Sequence, residues 1–382
     1  MKIHSLLRLG VACSALLLAG QAGAQEDEFV PEEFTVREAI DPGQNILLNK
    51  QEWNGASSIE VYSVDDLTNK GNMTAGGMSQ MLLSHDGKTA YSQSTFLARY
   101  THGASEQILT VYDVNSLSIT KEIELPNKAA MVAAFESLLQ ESADGRFVYV
   151  QNATPATSVT VVDVAAGAVV QEVPTPGCWG IYPALEGYGF ASICGDGRFA
   201  SFDLGAEGTE ATKTQSEQIF DADLDPIYVS SVRIGTNLAF ISYKGNVHLL
   251  SDASGTIEQV DTFSILDGEG WAPGGYGVLA YNAEHDVLFV PMHSEPYDGS
   301  HKNASEEIWA YKVGDRQLQY KSHAEGYIAL SVTQGPDPIV FGLNEHEAEI
   351  TRFAADPEAK FALKATTSKG GTGFATVVVA GP

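Results

Sequence analysis

Cysteine, basic residues and long apolar runs are all scarce in this chain of 382 residues. Its three cysteines, Cys13, Cys178 and Cys194, form no Cys-x-x-Cys pair, which excludes a dithiol redox motif and a cysteine-rich metal framework. Only 22 Lys and Arg face 49 Asp and Glu, a net charge of −27. Such a field repels phosphate backbones and anionic lipid, and it favours cationic ligands or a partner with a basic patch; the bland alternative is that it serves solubility alone. Beyond the first two dozen residues no apolar stretch reaches the ~20 residues of a spanning helix. A Gly-x-Ser-x-Gly elbow, a phosphate-cradling Gly-x-x-x-x-Gly-Lys loop and a Gly-x-Gly-x-x-Gly turn between strand and helix are all missing. The histidines do not supply a metal site either. His293 and His301 flank a Pro-Tyr-Asp-Gly stretch that reads as a solvated loop, and His346 between Glu345 and Glu347 reads as surface charge. The sequence therefore nominates no catalytic residue and no metal ligand.

What is present begins with the N-terminus. Lys2 and Arg8 precede an apolar run that ends in Ala22-Gly23-Ala24, the pattern of a cleaved secretory signal over residues 1–24. Export is the expectation, and Cys13 would be discarded with the signal. Two cysteines then remain, and in an exported chain Cys178 and Cys194 are expected to form a disulfide, which would stabilise by roughly 3 kcal/mol for a loop of that length. Residues 25–42 form an acidic arm: a disordered leader, a contact with a neighbouring subunit, or an outer strand that closes the fold.

From residue 43 to residue 382 the chain repeats short alternating runs, among them SIEVYSV, LTVYDV, SVTVVDV and EIWAYKV, separated by Asp-Gly and Gly-Asn turns. A strand end followed by a polar turn recurs near Ser63, Asp113, Asp163, Asp203, Ser251, Lys312 and Phe353. Two of these units open alike, with SHDGKTAYSQ around Asp86-Gly87 and SADGRFVYVQ around Asp144-Gly145. A repeat of about 40–60 residues holds four short strands, the size of one propeller blade. Seven marks predict an all-β, seven-bladed β-propeller; two β-sandwiches would need a mid-chain boundary that is not visible.

The segment QNATPATSVTVVDVAAGAVVQEVPTPGCWGIYPALEGYGFASICGDGRFASFDL, residues 151–204, resembles the heavy subunit of aromatic amine dehydrogenase and, more distantly, that of methylamine dehydrogenase. STFLARYTHG from Ser94, DLDPIYVSS from Asp223, SYKGNVH from Ser242, WAPGGYG from Trp271 and MHSEPYDGSHKNASEEIWAYK from Met292 follow in the family's order. The resemblance implies a large, non-catalytic subunit in the periplasm, with no cofactor of its own. Its partner would be a small subunit bearing tryptophan tryptophylquinone, in an α2β2 heterotetramer that oxidises primary amines to aldehydes and passes electrons to a cupredoxin such as azurin or amicyanin. It also places a disulfide at Cys178 and Cys194, and it suggests Trp53, in NKQEWNGASS, as the aromatic side chain at the mouth of the substrate channel. A scaffold propeller without a redox partner is the competing expectation, since fold alone does not fix function. A lactonase-like propeller would need a set of acidic and histidine ligands that the sequence does not offer.

Overall fold

A computed structural model describes residues 36–382 apart from Asp267 and Glu269. The signal segment and most of the acidic arm thus lie outside the described residues. Seven antiparallel sheets make up the unit Glu38–Pro382, and no α-helix occurs among the described residues, only three one-turn 3-10 segments. Six of the sheets are made by consecutive strands. The seventh is split between the chain ends: Phe374–Ala380 pairs with Asn45–Gln51, which continues into Ser57–Ser63 and Asn69–Ala75. The ring is therefore closed by the C-terminal strand, with Ile46 opposite Ala380, Gln51 opposite Phe374 and a register shift between Leu48 and Lys50.

Counting this composite sheet as blade 1, all seven sequence marks fall on the third strand of a blade. Ser63, Asp113, Asp163, Ser251 and Lys312 end such strands, while Asp203 and Phe353 lie within Phe199–Leu204 and Glu349–Asp356. The lead-in repeat is equally structural. In blades 2 and 3 the turn between first and second strands is closed by Gly87 N–H to the Ser84 carbonyl and by Gly145 N–H to the Ser142 carbonyl, 2.8 Å each. Asp86 and Asp144 each accept from the serine hydroxyl two residues before and from the backbone N–H two residues after. Both glycines sit at φ near +70°, a region that favours glycine.

The apolar core is not central but divided among the joints between blades. Phe147, Tyr149 and Val161 of blade 3 pack on Ile181, Phe190 and Phe202 of blade 4. Ile241 and Leu249 of blade 5 pack on Val290, Trp309 and Tyr311 of blade 6. The joint between blades 7 and 1, Phe341 and Ile350 against Ile46, Leu48 and Val378, completes the ring. Each fully buried side chain of this kind contributes about 1.5–3 kcal/mol relative to exposure. Outer strands carry polar residues instead: all of Ala211–Gln215 is exposed, and Glu258–Ser264 nearly so. Charged, solvated edges of this sort resist pairing with other chains.

Cys178 and Cys194 form the expected disulfide. They stand directly opposite one another on the first two strands of blade 4, Cys178–Pro183 and Phe190–Cys194.

Candidate functional site

Antiparallel blades of four strands place two sets of turns at opposite ends of the ring. One face carries the turns between second and third strands together with the blade-to-blade connections; the other carries the remaining corners. Trp53, Phe96, Tyr100, Met131, Leu224 and Tyr297 are exposed large apolar residues, and all lie in or beside the loops of the first face. The opposite face contributes Leu185 from a corner of blade 4 and Ile119 beside a corner of blade 2. Exposed apolar groups are thus more numerous on the first face.

Trp53 lies in the turn after Asn45–Gln51 and is half-exposed, at 51%. Its neighbour across this turn comes from blade 2, whose second and third strands, Thr89–Arg99 and His102–Asp113, form a long hairpin tipped by Tyr100. The Tyr100 hydroxyl rests over Gly55, 3.2 Å from where a β-carbon would stand, so a side chain there would press on it. Below Trp53 a line of rings runs inward: Phe374 at 6.2 Å between centroids, then Tyr276 edge-on to Phe374 at 6.3 Å, then Phe135 at 5.7 Å from Tyr276. Tyr276 comes from the Trp-Ala-Pro-Gly-Gly-Tyr run of blade 6. Gly275, at φ +124°, has no room for a side chain against the Ile328 carbonyl, and Tyr276 N–H donates to that same carbonyl.

Phe135 and the following Glu136 belong to the connection from blade 2 to blade 3, which enters the ring. Buried side chains of blades 1 and 2 hold it there. Gln51 and Gln80 both donate to the Val132 carbonyl, at 2.9 and 3.2 Å. Gln80 accepts from Phe135 N–H at 3.1 Å, and the Thr376 hydroxyl donates to the Ala134 carbonyl at 2.7 Å. Beyond the rings lies a cavity of about 420 Å³, lined by Phe135, Glu136, Tyr276 and Arg233, with His85 and Leu185 from corners of the opposite face. Desolvation by neighbouring protein pushes the Glu136 carboxyl pKa up to about 7, although the residue as a whole keeps an exposed surface in the cavity. Sequence reading missed this group. The available signal was one carboxylate inside an otherwise apolar stretch, Ala129–Leu139.

Other sequence-nominated positions fall differently. His293 is buried, at 2%, rather than solvated; its Nε2 has no hydrogen-bond partner and its Nδ1 faces the Ser294 carbonyl. His301 is half-buried and stacked on Tyr243 at 4.4 Å, with burial lowering its pKa. His293 is buried because it belongs to the strand Val287–Ser294, where it pairs opposite Ala272, while the Pro-Tyr-Asp-Gly stretch itself is an exposed loop, as expected. His346 is exposed, as expected of surface charge. Among the described residues no three His, Cys, Asp or Glu side chains converge as a metal site.

The tryptophans are less scattered than their spacing suggests. Trp271 and Trp309 meet in blade 6 at 5.6 Å. Trp309 is fully buried, donates its indole N–H to Glu307 and lies beneath the Lys321 ammonium. A ring so enclosed packs a blade and cannot meet a substrate, so this pair does not fit a tryptophan-derived quinone.

Fold and surface together define a seven-bladed propeller whose loop face carries most of the large apolar side chains exposed at the two ends of the ring. Solved structures show how widely that fold is shared. The periplasmic gluconolactonase of Pseudomonas aeruginosa superposes with a TM-score of 0.62 at 17% identity, over 89% of this chain and 99% of that one. The C-terminal WD40 domain of Sif2 gives 0.51 at 11%, over 87% and 86%. Sequence is more specific. Residues 52–371 match the family model of the methylamine dehydrogenase heavy chain, and the chain belongs to that family. The methylamine dehydrogenase heavy chain of Methylophilus methylotrophus is 22% identical over 310 residues, 77% of this chain and 74% of the relative. That of Methylorubrum extorquens is 24% identical over 380 residues, 91% and 89%.

Proposed function

We propose that this chain is the large subunit of a periplasmic amine dehydrogenase acting on primary amines. The observation that carries the reading is the family match across residues 52–371, and the apolar loop face around Trp53 supplies a place for a partner. In this reading a small subunit docks on that face in an α2β2 assembly and bears tryptophan tryptophylquinone, whose carbonyl chemistry turns a primary amine into an aldehyde. Electrons then pass to a cupredoxin. The compartment is supported by the signal-like residues 1–24.

This chain's own contribution is enclosure. A small subunit seated on the loop face would bring its substrate pocket against Trp53, which is backed by Phe374 and so resists displacement. A ring held there excludes water and limits the width of the amine admitted. The test is amine-dependent reduction of a dye, measured on the assembled complex and on this chain alone. Activity of the complex and none from the chain is the expected result; an active chain by itself would overturn the division of labour. A complex with no amine-dependent activity, or no complex at all, would favour a scaffold propeller.

A further inference from the structure

The Glu136 cavity has no part in that reading. Its walls are mixed: the Phe135 and Tyr276 rings at one end, aliphatic groups such as Val229, Val232 and Leu238 along the sides, and one carboxyl. The charged and titratable groups facing Glu136 from neighbouring blades are His85, Arg233, Tyr182 and Tyr276. The two bases among them are already engaged. Arg233 pairs with Asp252 at 2.6 Å and also donates to the Pro183 and Thr236 carbonyls. His85 Nδ1 lies 3.0 Å from the buried Glu141 carboxylate. The Tyr182 phenol donates to the Val229 carbonyl, and Glu345 adds negative potential near Tyr276. Glu136 itself has no ion pair or side-chain hydrogen bond among the described residues. The next residue, Ser137, is 6% exposed, and its Oγ lies beside Tyr182 without a hydrogen bond of normal geometry.

A carboxyl without a counter-ion, in a cavity that opens to solvent past His85 and Leu185 and whose other charges are paired, leaves a site of net negative potential with aromatic faces beside it. Aromatic faces attract cations, and a carboxylate with no ion pair of its own supplies the opposite charge beside them. The volume falls in the range of small-molecule sites. A connection pinned by Gln51, Gln80 and Thr376 fixes the carboxyl in the ring instead of leaving it on a mobile loop.

We propose that this cavity binds a small aryl- or alkylammonium ion, with the Glu136 carboxylate as its counter-ion and the Phe135 and Tyr276 rings against its apolar part. The site lies on this chain, on the far side of the ring line from Trp53, and its existence does not rest on the small subunit.

The probe is N,N-dimethyl-2-phenylethylammonium, which carries the charge but cannot condense with a carbonyl, so any quinone-bearing partner cannot mimic the result. Titration of the full mature chain by calorimetry is expected to show saturable binding of the probe and none of neutral 2-phenylethanol. Glu136→Gln should weaken the probe at least tenfold. Because the raised Glu136 pKa must be overcome for pairing, affinity in the native chain should rise several-fold between pH 5.5 and 7.5, with proton release on binding, and Glu136→Gln should abolish both. Equal binding of the alcohol, unchanged affinity in Glu136→Gln, or no binding at millimolar probe would overturn the proposal. Should Glu136→Gln fail to fold, a pH-independent affinity in the native chain would overturn it equally.

Discussion

Between the ordinary carboxyl range near 4.5 and about 7, the folded chain keeps a proton on Glu136 that the unfolded chain has released. The folded state therefore binds more protons in that window, and this group's contribution to stability falls as pH rises through it. Above about 7 both states are ionised and the penalty is constant. Carboxylates held low by hydrogen bonds, such as Asp163 and Glu306, act with the opposite sign, but below the ordinary carboxyl range. Glu136→Gln should flatten the decline of melting temperature between pH 5 and pH 7; a decline as steep as in the native chain would assign it to another group. At Trp53 the expected effect is on selectivity. Trp53→Ala in the assembled enzyme should raise kcat/KM for bulky amines relative to small ones by roughly 10-fold or more, the scale set by a few methylene-sized contacts. If the ratio stays fixed while the melting temperature drops, Trp53 is a packing residue.

At the scale of strands, closure by Phe374–Ala380 makes the C-terminus indispensable. Its loss would leave Ile46, Leu48 and Phe341 without the Val378 side of their joint and would free the inner edge of Asn45–Gln51. Ending the chain at Gly373 should abolish a soluble monomer, read by size-exclusion chromatography; a truncated chain that elutes as a monomer and melts cooperatively would show that blade 1 is dispensable. Elements of this kind were legible in the sequence where local chemistry sets them. Asp86-Gly87 and Asp144-Gly145 encode their turns within five residues, and strand ends such as Asp113 and Asp163 recur because each third strand meets the same kind of turn. The site was legible only in part. Glu136 reaches the interior through hydrogen bonds from residues far away in sequence, with Thr376 lying 242 positions from Ala134, and no local pattern announces such an anchor. His293 escaped for a related reason, since its burial depends on the strand Trp271–Pro273, well before it in the chain, pairing alongside it.

For the whole molecule, one face of the ring gathers Trp53, Phe96, Tyr100 and Leu224, while the outer strands are mostly polar and expose Ile119, Val260 and Tyr320 singly. Propellers of similar architecture serve as a gluconolactonase and as a WD40 domain, so the ring by itself does not decide what docks there. Family membership over residues 52–371 does favour one class of partner. The most direct measurement is affinity purification of the tagged mature chain from the periplasm of its native host, with mass and visible spectra of whatever accompanies it. The account predicts a small, disulfide-rich polypeptide in equal amount, with a quinone absorption that a primary amine bleaches. Recovery of a lone, colourless propeller under conditions that preserve periplasmic complexes would contradict it.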